Sequence, residues 1–341
     1  MKNLRGGLIG CGFFARNHMH GWSEVAGADI VAVCDAEPMR ADSFKRDFGV
    51  PQTYGDAEQM LTTETLDFVD IVTQPGSHRA LVELAAAHGV PAICQKPLAP
   101  EMADAEAMVE ACQNAGVPLM VHENFRWQRP MRALQKQAAD LGPLFFGRIS
   151  FRTPYNVYAD QPYLATDPRF IIADLGVHLL DLARFFFGEV AQLTCHTQRV
   201  NPRIQGEDVA TILLKMQNGA TCLVDMSYAS QLEEDLFPQT LVHLEGSEGS
   251  TTLGPHFALT TVVNGKATHQ DVSPHLYAWS VPPRHATQEA VVALQQHWVD
   301  CLRTGTSPET SGVDNLKTLE LVFGAYQSAE QRLPFETRQT S

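Results

Sequence analysis

The sequence predicts an α/β chain: a doubly wound parallel sheet first, then an α+β domain on a mostly antiparallel sheet. Three observations predict it. Across the first 120 residues, short apolar runs alternate with helical stretches of about 10–15 residues, the texture of a parallel sheet with right-handed crossovers. Past Gly147 that alternation gives way to β-rich runs, two of them separated by Asn218-Gly219 and others by Asn264-Gly265. Asn-Gly favours tight hairpins because both turn positions need positive φ. The length, 341 residues, suits two domains at about 150 residues each.

In chain order, Gly7–Gly10 reads as a short buried strand and residues 15–25 as a helix. Residues 29–35 form a second apolar run ending in an acid, followed by a helix over 36–48 that stops at Gly49, a C-cap signal. A strand over 68–73, a helix over 77–88, a strand over 91–94, a helix over 103–115 closed by Gly116, and a strand over 117–121 complete this half. The domain boundary is expected between Val121 and Gly147, giving domains of 1–124 and 125–341. In the second half, strands are expected over 145–152, 209–216, 220–228, 241–244 and 256–263. Helices are expected over 174–187, 288–302 and 312–331.

Acidic residues outnumber basic ones by 39 to 25, for a net charge of −14. Such a chain repels phosphate backbones and anionic lipid, so neither nucleic acid nor a membrane surface is an expected partner. Hydrophobic residues make up 44%, too many for a disordered protein. No apolar run approaches the 18 or so residues of a membrane span, and no signal-peptide core is read at the N-terminus. The seven cysteines are odd in number, widely spaced and free of C-x-x-C pairs, which predicts buried reduced thiols in a cytoplasmic protein.

Gly10-Cys11-Gly12-Phe13-Phe14-Ala15 matches G-x-G-x-x-A. Gly10 allows the tight turn, Gly12 lets backbone approach a pyrophosphate, and Ala15 lets helix and strand pack closely. The N–H groups and positive dipole of the following helix then face the phosphates. A strand-to-helix turn that merely needs small residues would look the same, but this one follows the first strand, opens a helix and has Asp35 at the end of the next strand, 20 residues after Ala15. A carboxylate there accepts hydrogen bonds from the adenosine ribose and repels a 2′-phosphate, so NAD is expected over NADP. Asp35 could instead cap a helix, and Arg40, one turn on, leaves dual cofactor use open.

Ligands of a doubly wound sheet bind beyond the C-terminal strand ends. There lie Thr73-Gln74-Pro75-Gly76-Ser77-His78, Gln95-Lys96-Pro97 and His122-Glu123-Asn124-Phe125-Arg126. Lys96 follows a buried strand, an unusual place for a residue that favours solvated faces, though a surface turn would accommodate it. Downstream, Asp174, His178 and Asp181 share a helix face at i, i+4 and i+7. A half-solvated helix would carry such a stripe too, but the surrounding Leu and Phe favour a cleft.

Gly10-x-Gly12-x-x-Ala15, Asp35, Thr73-x-Pro75-x-x-His78, Lys96-Pro97 and Asp174-x-Gly176-x-His178-x-x-Asp181 together resemble the Gfo/Idh/MocA family of sugar and cyclitol oxidoreductases. Ser311-Gly312-Val313-Asp314-Asn315-Leu316 resembles that family's C-terminal signature. The resemblance implies a Rossmann domain and a second domain whose large open sheet mediates homodimers or homotetramers. It implies Lys96, Asp174 and His178 as the catalytic group. It implies a cofactor site of Gly10, Gly12, Phe13, Phe14, Ala15, Asp35, Thr73, Gln74, Pro75, His78, Gln95, Lys96 and Asn124. The family usually has an acid before the lysine; here it is Gln95, which can hydrogen-bond a ribose or carboxamide but supplies no charge to Lys96. Residues 10–18, 122–126 and 161–166 further resemble the family's D-apiose dehydrogenase branch. That similarity implies oxidation of a branched aldose at its anomeric carbon to a lactone.

Oxidising a hydroxyl needs an acceptor for its proton. His178 suits that role, because an imidazole ordinarily titrates near pH ~6.5. Lys96 is expected to hold the hydroxyl oxygen and Asp174 to orient sugar and base, though Lys96 and His178 could exchange roles. Asn124, Arg126, Arg152 and Tyr155 are candidate partners for sugar hydroxyls, each with an equally acceptable structural role. No metal is expected, since His18, His20 and His122 have no completing Cys or carboxylate set. Inositol-type oxidation, NAD-assisted elimination or glycoside cleavage, and a non-catalytic sugar sensor are the alternatives; keeping both Lys96 and His178 argues against the sensor.

Overall fold

The computed structural model describes residues 2–338. Its first sheet has six parallel strands: β1 (Leu4–Ile9), β2 (Ala28–Cys34), β3 (Gln52–Tyr54), β4 (Phe68–Ile71), β5 (Ala92–Gln95) and β6 (Leu119–His122). They lie in the order β3-β2-β1-β4-β5-β6. The crossovers are α1 (Ala15–Glu24), α2 (Pro38–Phe48), α3 (Ala57–Thr63), α4 (Pro75–Ala87) and α5 (Met102–Ala115). Strands β4, β5 and β6 are buried at every position, because helices cover both faces, so they read as continuous apolar runs. The order reverses between β1 and β4, and at such a switch point the carboxyl ends of the strands open a crevice.

The second sheet has nine strands. After α6 (Arg129–Ala138) come β7 (Leu144–Arg152), a short α7 (Val157–Asp160), one π-helical turn (Ile172–Gly176) and α8 (Val177–Phe187). Then follow β8 (Val190–Gln198), β9 (Val209–Met216), β10 (Thr221–Ser227), β11 (Leu241–Gly246), β12 (Gly249–Leu253), β13 (Ala258–Val263) and β14 (Lys266–Asp271). Two helices, α9 (His285–Thr304) and α10 (Gly312–Gln331), and the two-residue β15 (Phe335–Glu336) end the described chain. The sheet order is β14-β13-β12-β11-β7-β10-β9-β8-β15. Every pairing is antiparallel except β7 with β10. Both expected Asn-Gly hairpins form, joining β9 to β10 and β13 to β14. One face of the sheet packs on α8, whose Leu179, Leu180, Leu182 and Ala183 are fully buried.

The chain divides into two compact units, one comprising residues through Glu123 with Val291–Lys317, the other Asn124–Ala290 with the segment from Thr318. The sequence reading ran its second domain unbroken from 125 to 341. Residues 291–317 return to the first unit because β6 is an edge strand whose outer backbone needs partners. The Val121 N–H donates to Thr310 O at 2.8 Å, and Thr310 Oγ1 donates back to Val121 O at 2.8 Å. Further along, Arg303 Nη2 donates to Gly27 O at 2.9 Å.

Inside the second unit, Asp181 is fully buried and receives the Arg126 guanidinium in a forked pair, Nε donating to Oδ2 at 2.7 Å and Nη2 to Oδ1. Thr318 Oγ1 adds a donor to Oδ1 at 3.2 Å. Removing one partner of a buried pair leaves the other charge stranded. Asp181→Leu is therefore expected to destabilise this unit by about 3–5 kcal/mol. Arg126→Met with Asp181→Leu should recover most of the loss, both measured by urea unfolding.

Candidate active site

In the nucleotide-binding unit, the loop after β1 is held from two sides. Gly10 takes φ +97°, and a Cβ there would stand 2.6 Å from Val72 O, so any side chain is excluded. Its N–H donates to Cys34 O at 2.8 Å. Beside it, the Cys11 N–H donates to Asp35 Oδ2 and the Glu37 N–H to Asp35 Oδ1, each at 2.8 Å. Asp35 thus ties the glycine loop to the entry of α2, and each oxygen keeps a lone pair for a further donor. A Cβ on Gly12 would meet nothing within 4 Å, and the N-terminus of α1 has no side-chain cap, the arrangement a pyrophosphate requires. Ala15 is fully buried against the sheet. Phe14 packs its ring edge on His18, whereas Phe13 stands exposed. Arg40 is engaged by Glu37 at 2.9 Å. Burial, with Asp35 beside it, pushes the Cys11 thiol up to about 12, so the loop carries no thiolate at neutral pH.

Thr73, Gln74 and Pro75 lead into α4, with Gln74 at its N-cap and Thr73 Oγ1 accepting from Ser77 Oγ at 2.8 Å. Two residues expected to face the cofactor are instead turned inward. His78 is fully buried, its Nδ1 3.0 Å from Leu98 O and its Nε2 3.1 Å from Thr73 O, so it bridges the loop after β4 to the loop after β5. Gln95 is buried too, its amide spanning His18 Nε2 at 3.0 Å and the Lys96 N–H at 2.7 Å. Lys96 itself is half-buried at the strand end.

In the second unit, Asp174 sits on the π-helical turn, where one extra residue widens the helix, so the regular i, i+4 stripe expected from Asp174 does not hold at that end. Glu207 pins this turn: its carboxylate accepts from the Phe170 and Ile172 N–H groups at 3.3 and 3.1 Å and from the Tyr326 hydroxyl at 2.8 Å. Tyr326 Oη in turn accepts from the Ala173 N–H at 3.1 Å. Tyr163 and Tyr228 stand near Asp174; burial, with that carboxylate adding to it, pushes the Tyr163 hydroxyl up to about 12. Tyr163 lies in the 161–166 stretch read from the sequence, but without a role; Glu207 and Tyr228 were not picked out, because they lie more than 30 residues from Asp174 in the chain. His178 is buried and stacks on Phe125, with ring centroids 3.9 Å apart and planes within 5°.

The remaining candidates divide. Asn124 is buried, and its Oδ1 has no hydrogen-bond partner among the described residues, an acceptor fit for a ligand amide or hydroxyl. The Asp181 stripe position belongs to the ion pair with Arg126, so neither faces outward as a sugar ligand. Arg152 lies on the uncovered face of the sheet with Arg148 and Ser150, all three donating to Asp225. Strand residues alternate faces, and Ile149 and Phe151 take the side toward α8, so Arg152 points away from His178. Tyr155 stacks on Phe237 at 3.8 Å, its hydroxyl donating to Asp160 and accepting from Arg284 Nη2 at 2.7 Å. Among the described residues no group of three or more His, Cys, Asp or Glu is placed to hold a metal ion, and no helix is long and apolar enough to cross a membrane.

A glycine-loop crevice on a 3-2-1-4-5-6 sheet, followed by a unit whose mixed sheet packs on the helix bearing His178, directly after the turn bearing Asp174, defines a dinucleotide-dependent oxidoreductase class. Residues 4–123 match the model of the oxidoreductase family with an NAD-binding Rossmann fold, and residues 131–252 match the Gfo/Idh/MocA C-terminal domain. The chain belongs to the Gfo/Idh/MocA family. It is 53% identical to a D-apiose dehydrogenase of Rhizobium rhizogenes over 96% of each chain. A D-apiose dehydrogenase of Paraburkholderia graminis is 52% identical over 97% of this chain and 89% of its own. A crystal structure of an oxidoreductase from Agrobacterium radiobacter, in complex with NAD+, L-tartaric acid and magnesium, superposes with a TM-score of 0.97 at 52% identity, covering 98% of both chains.

The two glycines separate fold from binding. Gly10→Ala should lower the melting temperature, whereas Gly12→Val should melt like the native protein but lose the upward shift that NAD produces, as read by thermal melts with and without cofactor. Burial lowers the affinity of His78 for a proton below the ordinary histidine value. The unfolded chain then binds more protons below about pH 6.5, so the stability this group supports is full above that pH and is lost as pH falls. Melting temperature is expected to drop from pH 7.5 to 5, and less steeply in His78→Gln.

Proposed function

We propose that this protein is an NAD-dependent dehydrogenase that oxidises D-apiose at its anomeric carbon to the lactone. The observation that carries the reading is more than 50% identity, over nearly the whole chain, to two D-apiose dehydrogenases. NAD, when bound, supplies the hydride acceptor. Gly10, Gly12 and the N-terminus of α1 hold its pyrophosphate, and Asp35 accepts from the adenosine ribose. With Asp35 and Glu37 together at that end, and Arg40 held by Glu37, a 2′-phosphate is disfavoured, which supports NAD over NADP.

On the substrate side, His178 takes the hydroxyl proton, Lys96 donates a hydrogen bond to the same oxygen, and Asp174 orients sugar and imidazole. The Phe125 stack supports this assignment, because it fixes the plane of the His178 ring and spares the reaction the entropy of orienting its base. The Glu207 clamp does the same for the segment bearing Asp174. Asn124, with a spare buried acceptor, is the further candidate for a carboxamide or sugar hydroxyl.

We also take the protein to be a cytoplasmic homodimer or homotetramer assembled through the nine-stranded sheet. Seven free, buried thiols support a reducing compartment, and half-exposed Leu213 on the uncovered sheet face supports the assembly.

With D-apiose and NAD, the purified protein should accumulate NADH, followed by absorbance. Turnover of sugar without net NADH would instead point to a reaction that regenerates its NAD. Lys96→Met should lower kcat by about 10²-fold or more while leaving NAD affinity within a few-fold, in the range of lost general acid–base assistance. Near-native kcat in that variant would remove Lys96 from the mechanism.

A further inference from the structure

Beneath the Lys96 loop, a chain of buried polar groups links strands β4 and β5 through helix α1, and the mechanism above does not use it. Asp70 on β4 is fully buried. Its Oδ2 lies 2.8 Å from His18 Nδ1 and accepts from Trp22 Nε1 at 2.7 Å. His18 Nε2 lies 3.0 Å from Gln95 Nε2, and Gln95 Oε1 lies 2.7 Å from the Lys96 backbone nitrogen.

The protons in this chain can be assigned from its far end. A backbone N–H only donates, so the Gln95 group facing Lys96 must be the carbonyl oxygen. The amide NH₂ therefore faces His18 Nε2 and donates to it, which requires a lone pair on that nitrogen. The ring proton is then on Nδ1 and goes to Asp70 Oδ2. The remaining groups against the ring are the His122 ring, stacked at 4.1 Å, and the edge of Phe14. Gln295 Nε2 donates to the backbone carbonyl of His18 at 3.2 Å and fixes the start of the chain.

We propose that Asp70, His18 and Gln95 form a positioning relay that locks Lys96 at the end of β5, and that a glutamine at 95 keeps the His18 imidazole neutral. Both ends of the relay are fixed: one on a carboxylate in the middle of the sheet, the other on the amide of the residue that meets substrate. A glutamate at 95 would accept from Lys96 equally well but could not donate to His18. It would draw a second proton onto the ring, creating an imidazolium between two carboxylates and loosening the bond that holds the lysine.

This inference rests on the assignment of Lys96 to the reaction, and its test keeps the two apart. In ¹⁵N-histidine-labelled protein at pH 7, His18, assigned through the loss of its signals in His18→Phe, should show one protonated nitrogen, Nδ1, and one unprotonated nitrogen, Nε2. In Gln95→Glu both nitrogens should be protonated, kcat should fall about tenfold or more, and the KM for NAD should move less than about threefold. His18→Phe, which keeps an aromatic ring and frees Gln95, should reproduce the kcat loss and serves if Gln95→Glu does not fold. A doubly protonated His18 in the native protein, an unchanged ring in Gln95→Glu, or native kcat in these variants would overturn the relay. Native turnover in Lys96→Met would overturn only the assignment of the lysine, because the ring signals report the relay directly.

Discussion

Asp70, Asp181 and Glu207 are buried carboxylates, and their need for donors shapes the surroundings of the candidate functional groups. A buried charge without partners is among the most costly features a fold can contain. Asp70 Oδ2 is met by His18 and Trp22 from α1, Asp181 by Arg126 and Thr318, and Glu207 by two backbone N–H groups and Tyr326. None of these donors is a chain neighbour of its carboxylate. Each set ties together distant segments, and each ends next to a residue assigned to the chemistry. Asp70 leads through His18 and Gln95 to Lys96. Asp181 anchors Arg126, the residue after the Phe125 ring that stacks on His178. Glu207 holds the turn that bears Asp174.

The same logic divides the nucleotide site into parts that make the fold and parts that leave room. Gly10 is a packing requirement, set by the carbonyl of Val72. Gly12 is an absence, a place where no protein atom arrives. Asp35 serves both, since its oxygens already order the loop and the entry of α2 while retaining lone pairs.

Much of this was legible in the sequence because it is local. The G-x-G-x-x-A turn, the helix stops at Gly49 and Gly116 and both Asn-Gly hairpins depend on residues a few positions apart. Helices α3 and α6 and strand β14 went unread, and several further unread strands have a short or broken signal. β3 has three residues and no large aliphatic side chain. In β8 a register shift between Val190 and Gln192 disrupts the period-two pattern that would have marked it. β12 is mostly Gly, Ser and Thr. At the candidate site, the sequence shows residue types but not the orientations of their side chains. Gln95, His78 and Arg126 carry polar groups at the expected strand ends and loops, yet they point inward, because partners 20 to 77 positions away claim them. Arg152 shows the complementary case, in which strand parity alone decides which face a side chain takes.

The strand at the rim of the larger sheet has its own consequence. β14 reads Lys-Ala-Thr-His-Gln-Asp, and all six residues are exposed. Its outer backbone groups are unpaired within the sheet order, which is the template on which fibrillar stacking begins. A charge at each end of the strand and no bulky apolar side chain between them leave an approaching β-segment nothing dry to bury. The rim therefore stays wetted, and the longest sheet in the molecule ends in a border that resists aggregation without needing a cap.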